Sequence, residues 1–199
     1  GDVYKRQRLR DLPGVLLRWK TPVFVVRDAA ELDPHEAVRL AADLVRRGVA
    51  SALITMPARK RLRGRSLIGH TELLASITNS KRVGMLLLCG RLTIMPLTLH
   101  VPLKEVAEQI TPERLEAAVI LLHDNLKRMF GINSPRIGVA ALNPHIGEGG
   151  LLGGEEREII APTISRLQQD SIRVTGPENA HTLVQQMMRG ELDAMVALY

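Results

Sequence analysis

Three of the six histidines stand in settings where an imidazole can do chemistry. His70 follows a glycine in "GHTE", His100 closes the apolar run "LTLH" two residues before Pro102, and His145 lies in "LNPHIGEGGLLGGEE" with Asn143 and Glu148. Imidazole is a favoured ligand of Zn²⁺ and similar ions, so a histidine projecting from the end of a strand is a candidate metal ligand. His70 and Thr71 begin an apolar run that reads as a helix, where free N–H groups point toward an anion and Gly69 lets a ligand approach the backbone. Each has a plainer reading. Thr71 can be an ordinary N-cap, His100 a structural histidine, and 143–156 a long loop. That loop carries five glycines before Glu155, which suit positive φ and close backbone contacts. It contains neither GxxxxGK[ST] nor a GxGxxG at the required place after a strand. Five cations, Arg59, Lys60, Arg61, Arg63 and Arg65, fall within seven positions. They make a possible phosphate clamp, against the commoner solvated basic face.

These residues need strands and helices to hold them. "TPVFVV" (21–26) has the composition of a strand. Asp33 as N-cap, Pro34 at the first helical position, Glu36 in the first turn, and Arg46 and Arg47 before Gly48 delimit a helix. Its apolar face is Val38, Leu40, Ala41, Leu44 and Val45. "ASALITM" (50–56) predicts a strand buried on both faces. "TELLASI" predicts a short helix, and "RVGMLLLC" and "LTIMPLTLH" predict strands, with Pro96 marking an edge or a bulge. His100 then ends the second strand, with its ring projecting from the sheet edge. Thr111 and Pro112 open the clearest helix, on which Leu115, Ala118, Val119, Leu122, Leu126 and Met129 recur at helical spacing up to Gly131. Strand 136–142, a helix around 155–169, a strand near 172–174, a helix around 179–189 and strand 194–199 follow. The alternation predicts an α/β class with a mixed, largely parallel sheet and flanking helices.

Composition narrows the function. Hydrophobic residues are 45% and charged residues 24%, an ordinary globular balance, whereas aromatics are only 3%. Stacking platforms for single-stranded nucleic acid are thereby disfavoured. The net charge of +6 favours anionic partners, phosphorylated metabolites included. The single Cys89 excludes an internal disulfide and reads as a small buried hydrophobe in a reducing cytosol. No apolar stretch approaches a membrane span and no leader pattern is present, which gives a cytoplasmic expectation with no membrane partner. Residues 1–20 look like a non-native start, and 199 interrupts an apolar run. The expectation is therefore a fragment whose interpretable part, 21–199, is an incomplete α/β catalytic region.

Four segments, "GHTELLA", "LTLHVPLKEVAEQIT", "LHDNLKRMFGINSPRIGVAALNPHIGEGGLLGGEE" and "AMVALY", resemble the central portion of the 4-hydroxythreonine-4-phosphate dehydrogenase family of pyridoxal phosphate biosynthesis. The resemblance extends over about residues 33–199. It implies an isocitrate/isopropylmalate-dehydrogenase-like fold, incomplete here. It implies oxidation of a phosphorylated amino acid, 4-phosphooxy-L-threonine, by NAD or NADP, with loss of CO₂ from the β-keto acid to give 3-amino-2-oxopropyl phosphate. It also implies a divalent metal (Zn, Mg or Co) held by three histidines, and a homodimer with the active site between subunits. Carried onto this sequence, the resemblance makes His70 and Thr71 substrate-binding residues and His100 a metal ligand. It places the second metal histidine directly after Tyr199 and the third further on, so the 199-residue chain is expected to be inactive by itself. The family's opening "TPGDPAGIGPE" motif is absent, and the loop from Lys60 to "GHTE" is shorter and more basic than the family shows. No catalytic or NAD-contacting residue is assigned, and His145 and Glu148 are left without a role.

Other readings compete. A relative acting on another phosphorylated hydroxy acid, such as a phosphothreonate or phosphoerythronate, keeps the fold and changes the substrate. A basic nucleic-acid-binding module built on Arg59 to Arg65 predicts strongly salt-dependent affinity for DNA or RNA; the lack of a recognised binding motif argues against specific nucleic acid binding. A dimeric scaffold predicts no metal at all.

Overall fold

The computed structural model describes residues 4–8, 22–26, 34–55 and 69–199, and divides the chain into two compact units, Gly1–Lys81 and Arg82–Tyr199. The basic run Arg59 to Arg65 and the proposed N-cap Asp33 lie outside the described residues.

In the first unit, strands β1 (Tyr4–Arg8) and β2 (Pro22–Val26) pair antiparallel. Helix α1 (Pro34–Arg46) starts at the expected proline and buries Val38, Ala42 and Leu44. Gly48 ends it at φ +71°, a conformation open to glycine at little cost. Helix α2 (His70–Thr78) buries Leu73 and is tied to α1 where the Arg46 guanidinium donates to the Ile77 carbonyl at 3.3 Å. The expected strand 50–56 is not formed over its described residues 50–55, and Ile54 is 91% exposed. A strand buried on both faces needs a neighbour for its N–H and C=O groups. No described strand pairs with these residues.

The second unit is an α/β layer structure, as the alternating pattern predicts. Its five-stranded sheet has the order β3–β4–β7–β5–β6, with β3 (Leu87–Cys89), β4 (Leu92–Pro96), β5 (Ile137–Ala140), β6 (Val174–Glu178) and β7 (Ala194–Ala197). All neighbours are parallel except β3 and β4, which form a hairpin. β5 and β7 are central and apolar. Ile137, Val139, Ala194 and Val196 have no measurable exposure.

Helix α3 (Val106–Gln109) is followed by α4 (Pro112–Phe130), the longest helix of the unit. Thr111 caps α4 by accepting the Arg114 N–H at 3.3 Å, and Gly131 closes it at φ +69°. Leu115, Ala118, Val119, Leu122 and Leu126 pack on the sheet core, and each large aliphatic among them contributes about 1.5–3 kcal/mol of burial. Met129, expected on the same face, is 69% exposed in the last turn. A π-helical turn, Glu156–Ile160, leads into α5 (Ala161–Gln169), while α6 (Ala180–Met188) covers the other side through Leu183 and Met187.

Two expectations about the hairpin are corrected. Cys89 is exposed, on a three-residue strand at the edge of the sheet whose residues are all exposed. Pro96 lies on an inner strand, at its last position. β3 pairs only with Leu92–Ile94, and the ladder toward β7 resumes at Leu97, whose N–H donates to the Ala197 carbonyl at 2.7 Å. The missing proline N–H therefore falls where no partner is required.

Candidate functional site

The register sets β4, β7 and β5 level at one end of the sheet. Pro96 is opposite Ala197, and Val139 is opposite Val196 on the other flank of β7. Each strand then runs out at its carboxyl end, the end at which open α/β sheets bind ligands. His100 follows four residues after Pro96, Tyr199 two after Ala197, and His145 five after Ala140. The topology thus brings two histidines and a tyrosine to the same end of three adjacent parallel strands.

His100 is not part of the strand. β4 stops at Pro96, and the chain is then fastened to β7 by Thr98, whose N–H and buried hydroxyl both donate to the Leu198 carbonyl, at 3.3 and 2.7 Å. Two residues on, His100 turns out of the sheet at φ +57° and is exposed. His145 is also exposed, at φ +51°. Left-handed backbone outside glycine is uncommon and gathers at functional sites. Neither imidazole makes a hydrogen bond or ion pair with another described residue.

His145 opens a left-handed turn. His145, Ile146, Gly147, Glu148 and Gly149 all have φ between +43° and +73°. Under this turn lies Glu156, 4% exposed. One of its carboxylate oxygens accepts the N–H groups of Leu142 and Asn143 at 2.8 and 2.7 Å, and the other accepts the Asn143 side-chain amide at 3.0 Å. The same amide donates to Glu155 at 2.8 Å. Burial opposes ionisation of Glu156, yet the hydrogen bonds from Asn143 and Leu142 outweigh it and hold the carboxyl below the usual carboxylate range. The sequence marks Asn143 and His145 as polar members of the glycine-rich loop without assigning either a role, and does not single out Glu156. The acidic pair at the head of a helix, directly after the glycine run, was the available signal.

His70 and Thr71 belong to the first unit, as the first two residues of α2. Both are half-buried. Thr71 is not the N-cap. Gly69 holds that position with extended backbone (φ −81°), and no side chain caps the helix. A Cβ at 69 would lie 2.6 Å from a Glu72 carboxylate oxygen, the movable end of an exposed side chain, so neither space nor backbone conformation demands glycine there.

Among the described residues no group of three or more His, Cys, Asp or Glu side chains is placed to hold a metal ion. Two imidazoles at one sheet end are a suitable partial donor set for Zn²⁺-type ions, which generally take three protein ligands at a catalytic site. Among the described residues, no helix is long and apolar enough to cross a membrane. A groove of about 330 Å³ lies at the opposite, amino end of the sheet, between Arg136, Gln168, Arg173 and Glu191. There Arg136 is already engaged with Asp193.

Comparison with known proteins identifies a family by sequence. The profile described as "Pyridoxal phosphate biosynthetic protein PdxA" matches residues 26–199. A 4-hydroxythreonine-4-phosphate dehydrogenase of Ectopseudomonas mendocina is 42% identical over 94% of this chain and 58% of its own length. One from Acidithiobacillus ferrooxidans is 44% identical over 78% of this chain and 48% of its own. The chain therefore spans about half to three fifths of the length of these curated relatives. Among solved structures, a 4-hydroxythreonine-4-phosphate dehydrogenase from Klebsiella pneumoniae superposes with a TM-score of 0.74 at 34% identity, covering 83% of this chain and 50% of the other. A terephthalate 1,2-cis-dihydrodiol dehydrogenase from Burkholderia xenovorans gives 0.65 at 29% identity, over 88% and 56%.

Proposed function

Because this chain belongs to the family described as pyridoxal phosphate biosynthetic protein PdxA, we propose that the protein oxidises 4-phosphooxy-L-threonine with NAD or NADP. Hydride leaves the carbon bearing the hydroxyl for the nicotinamide, the hydroxyl proton is released, and the β-keto acid loses CO₂ to give 3-amino-2-oxopropyl phosphate. The observation that supports this reading is that the segments carrying His100 and His145 follow the carboxyl ends of β4 and β5, on either side of β7.

His100 and, in place of one of the two histidines expected beyond Tyr199, His145 would contribute imidazole ligands to a divalent metal, Zn, Mg or Co. When bound, such an ion favours loss of the alcohol proton and polarises the ketone. The protein's own part is positional. Thr98 fastens the His100 segment to the end of β7, and Glu156 lies under the turn that carries His145. His70 and Thr71 would bind the phosphorylated substrate, at the head of a helix whose dipole favours an anion. The protein would act as a homodimer and work in the cytoplasm.

Substrate choice has a second reading. A structural relative titled for dihydrodiol oxidation shares this fold at 29% identity, so the fold by itself does not fix the substrate. Another phosphorylated hydroxy acid, a phosphothreonate or phosphoerythronate, is the closest alternative.

The test uses the full-length protein with each candidate acid and with NAD or NADP, following reduced nicotinamide, CO₂ and bound metal. The proposal expects turnover with 4-phosphooxy-L-threonine and loss of both metal and turnover in His100→Asn. Turnover only with a different acid would move the assignment to that substrate. Full metal occupancy in His100→Asn would remove it from the ligand set.

A further inference from the structure

We propose that Glu156 is a positioning residue for the candidate site: its buried carboxylate fixes the left-handed turn 145–150 that presents His145 beyond the end of β5. This inference rests on the reading of His145 as a metal-facing residue.

The turn needs such a fixture. A left-handed backbone costs about 1–2 kcal/mol for each L-residue and normally occurs singly. Here His145, Ile146 and Glu148 all adopt it within four positions, and Ile146 is β-branched, the type least suited to it. Local sequence preference cannot supply that geometry, so surrounding contacts must over-determine it.

Those contacts converge on Glu156. Past Ala140 the chain leaves the sheet, and the N–H groups of Leu142 and Asn143 are both taken by one Glu156 oxygen. The second oxygen, with Glu155, orients the Asn143 amide. Two glycines then lie flush against this cluster. A Cβ on Gly147 would come 2.8 Å from Glu156 Oε2 and 2.9 Å from the Gly153 carbonyl, and one on Gly153 would come 2.3 Å from Asn143 Nδ2. The Leu152 N–H donates to the Gly147 carbonyl at 3.1 Å and closes the turn. Glu156 itself is anchored in the π-helical turn that leads into α5, so the loop is held from a rigid element. The carboxylate touches neither His145 nor any reacting group in these bonds; it acts through the loop.

The hydrogen-bond pattern supplies a test that a merely stabilising role would not pass. In Glu156→Gln one oxygen can keep the two backbone N–H groups, but the new amide then meets the Asn143 amide, donor against donor. Asn143 cannot simply rotate, because its oxygen would then face the Glu155 carboxylate. In the double variant Glu155→Gln with Glu156→Gln it can: the rotated Asn143 oxygen accepts from both new amides, and the pattern closes again.

The experiment titrates Co²⁺ into the full-length protein and its variants, reading the visible absorption of the bound ion, alongside hydrogen exchange over residues 142–152. In Glu156→Gln the Co²⁺ dissociation constant should rise about tenfold or more, the range found for groups that orient metal ligands. Exchange over the turn should accelerate, and the double variant should recover most of both losses. His145→Asn serves as the control and should lose affinity at least as strongly. Parent-like Co²⁺ binding in Glu156→Gln, with or without faster exchange, would overturn the proposal while the His145 reading stood. Failure of the double variant to recover would also overturn it, by showing that charge and not the bonding pattern matters. Parent-like binding in His145→Asn would locate the failure in the metal-facing reading, and the proposal would fall with it.

Discussion

Thr71 illustrates how a single side chain can be separated from the fold that carries it. It sits at the second position of α2, half-buried, and the cap belongs to Gly69, so its hydroxyl is not needed to start the helix. Alanine is the better helix former by up to about 0.7 kcal/mol. Thr71→Ala should therefore leave the melting temperature unchanged or slightly raised while increasing KM for the phosphorylated substrate. Steady-state kinetics beside a thermal melt check both halves, and an unaltered KM would remove Thr71 from the binding site. His145 is the contrasting residue. Its neighbours in sequence are visible as a glycine-rich loop after a buried strand, but its place at the same end of the sheet as His100 depends on β7 coming between β4 and β5. No spacing along the chain encodes that order.

The elements show the same division between local and non-local information. Helix α4 was legible because its N-cap, first-position proline, apolar period and closing glycine are all local signals, and β5 and β7 because buried parallel strands read as unbroken apolar runs. Residues 50–55 have a similar run and form no strand, since strand formation also requires a partner. Cys89 reads as core by its neighbours and is exposed by its place on the sheet edge. The ends of β5 and β7 are joined by Asp193. It accepts the Arg136 backbone N–H at 2.8 Å and two guanidinium hydrogen bonds at 3.0 and 2.8 Å. Those side-chain bonds from Arg136 prevail over burial and hold the Asp193 carboxyl below its ordinary value. With the folded value depressed, the unfolded chain binds more protons in that range, so the contribution is complete above the unfolded value of about 4 and is lost as pH falls through the folded one. Asp193→Asn should cost about 1–3 kcal/mol at neutral pH. Denaturant midpoints measured from neutral pH into acid should show the gap between parent and variant closing below about pH 4. A constant gap would mean that the carboxylate's charge is not what joins the strands.

At the scale of the whole molecule, one of the two edges of the five-stranded sheet is β3, where Leu87 and Leu88 are 50% and 58% exposed. A short apolar edge next to unpaired backbone groups is a surface that a second chain can cover. The full-length protein is expected to be a homodimer at micromolar concentration by light scattering, with Leu88→Lys shifting it toward monomer; a parent that scatters as monomer throughout would refute the dimer. The strand order has a further consequence, for synthesis. β4 and β5 never touch as a strand pair; each meets β7, which is made 97 residues after β4 closes and 53 after β5 closes. Until that strand emerges from the ribosome, the two sides of the sheet have no common backbone ladder, and the segments of His100 and His145 share no sheet end. The site is thus assembled by a late insertion that completes the sheet from its middle, and a nascent chain stopped before Ala194 would carry both histidines without the strand that brings them to one place.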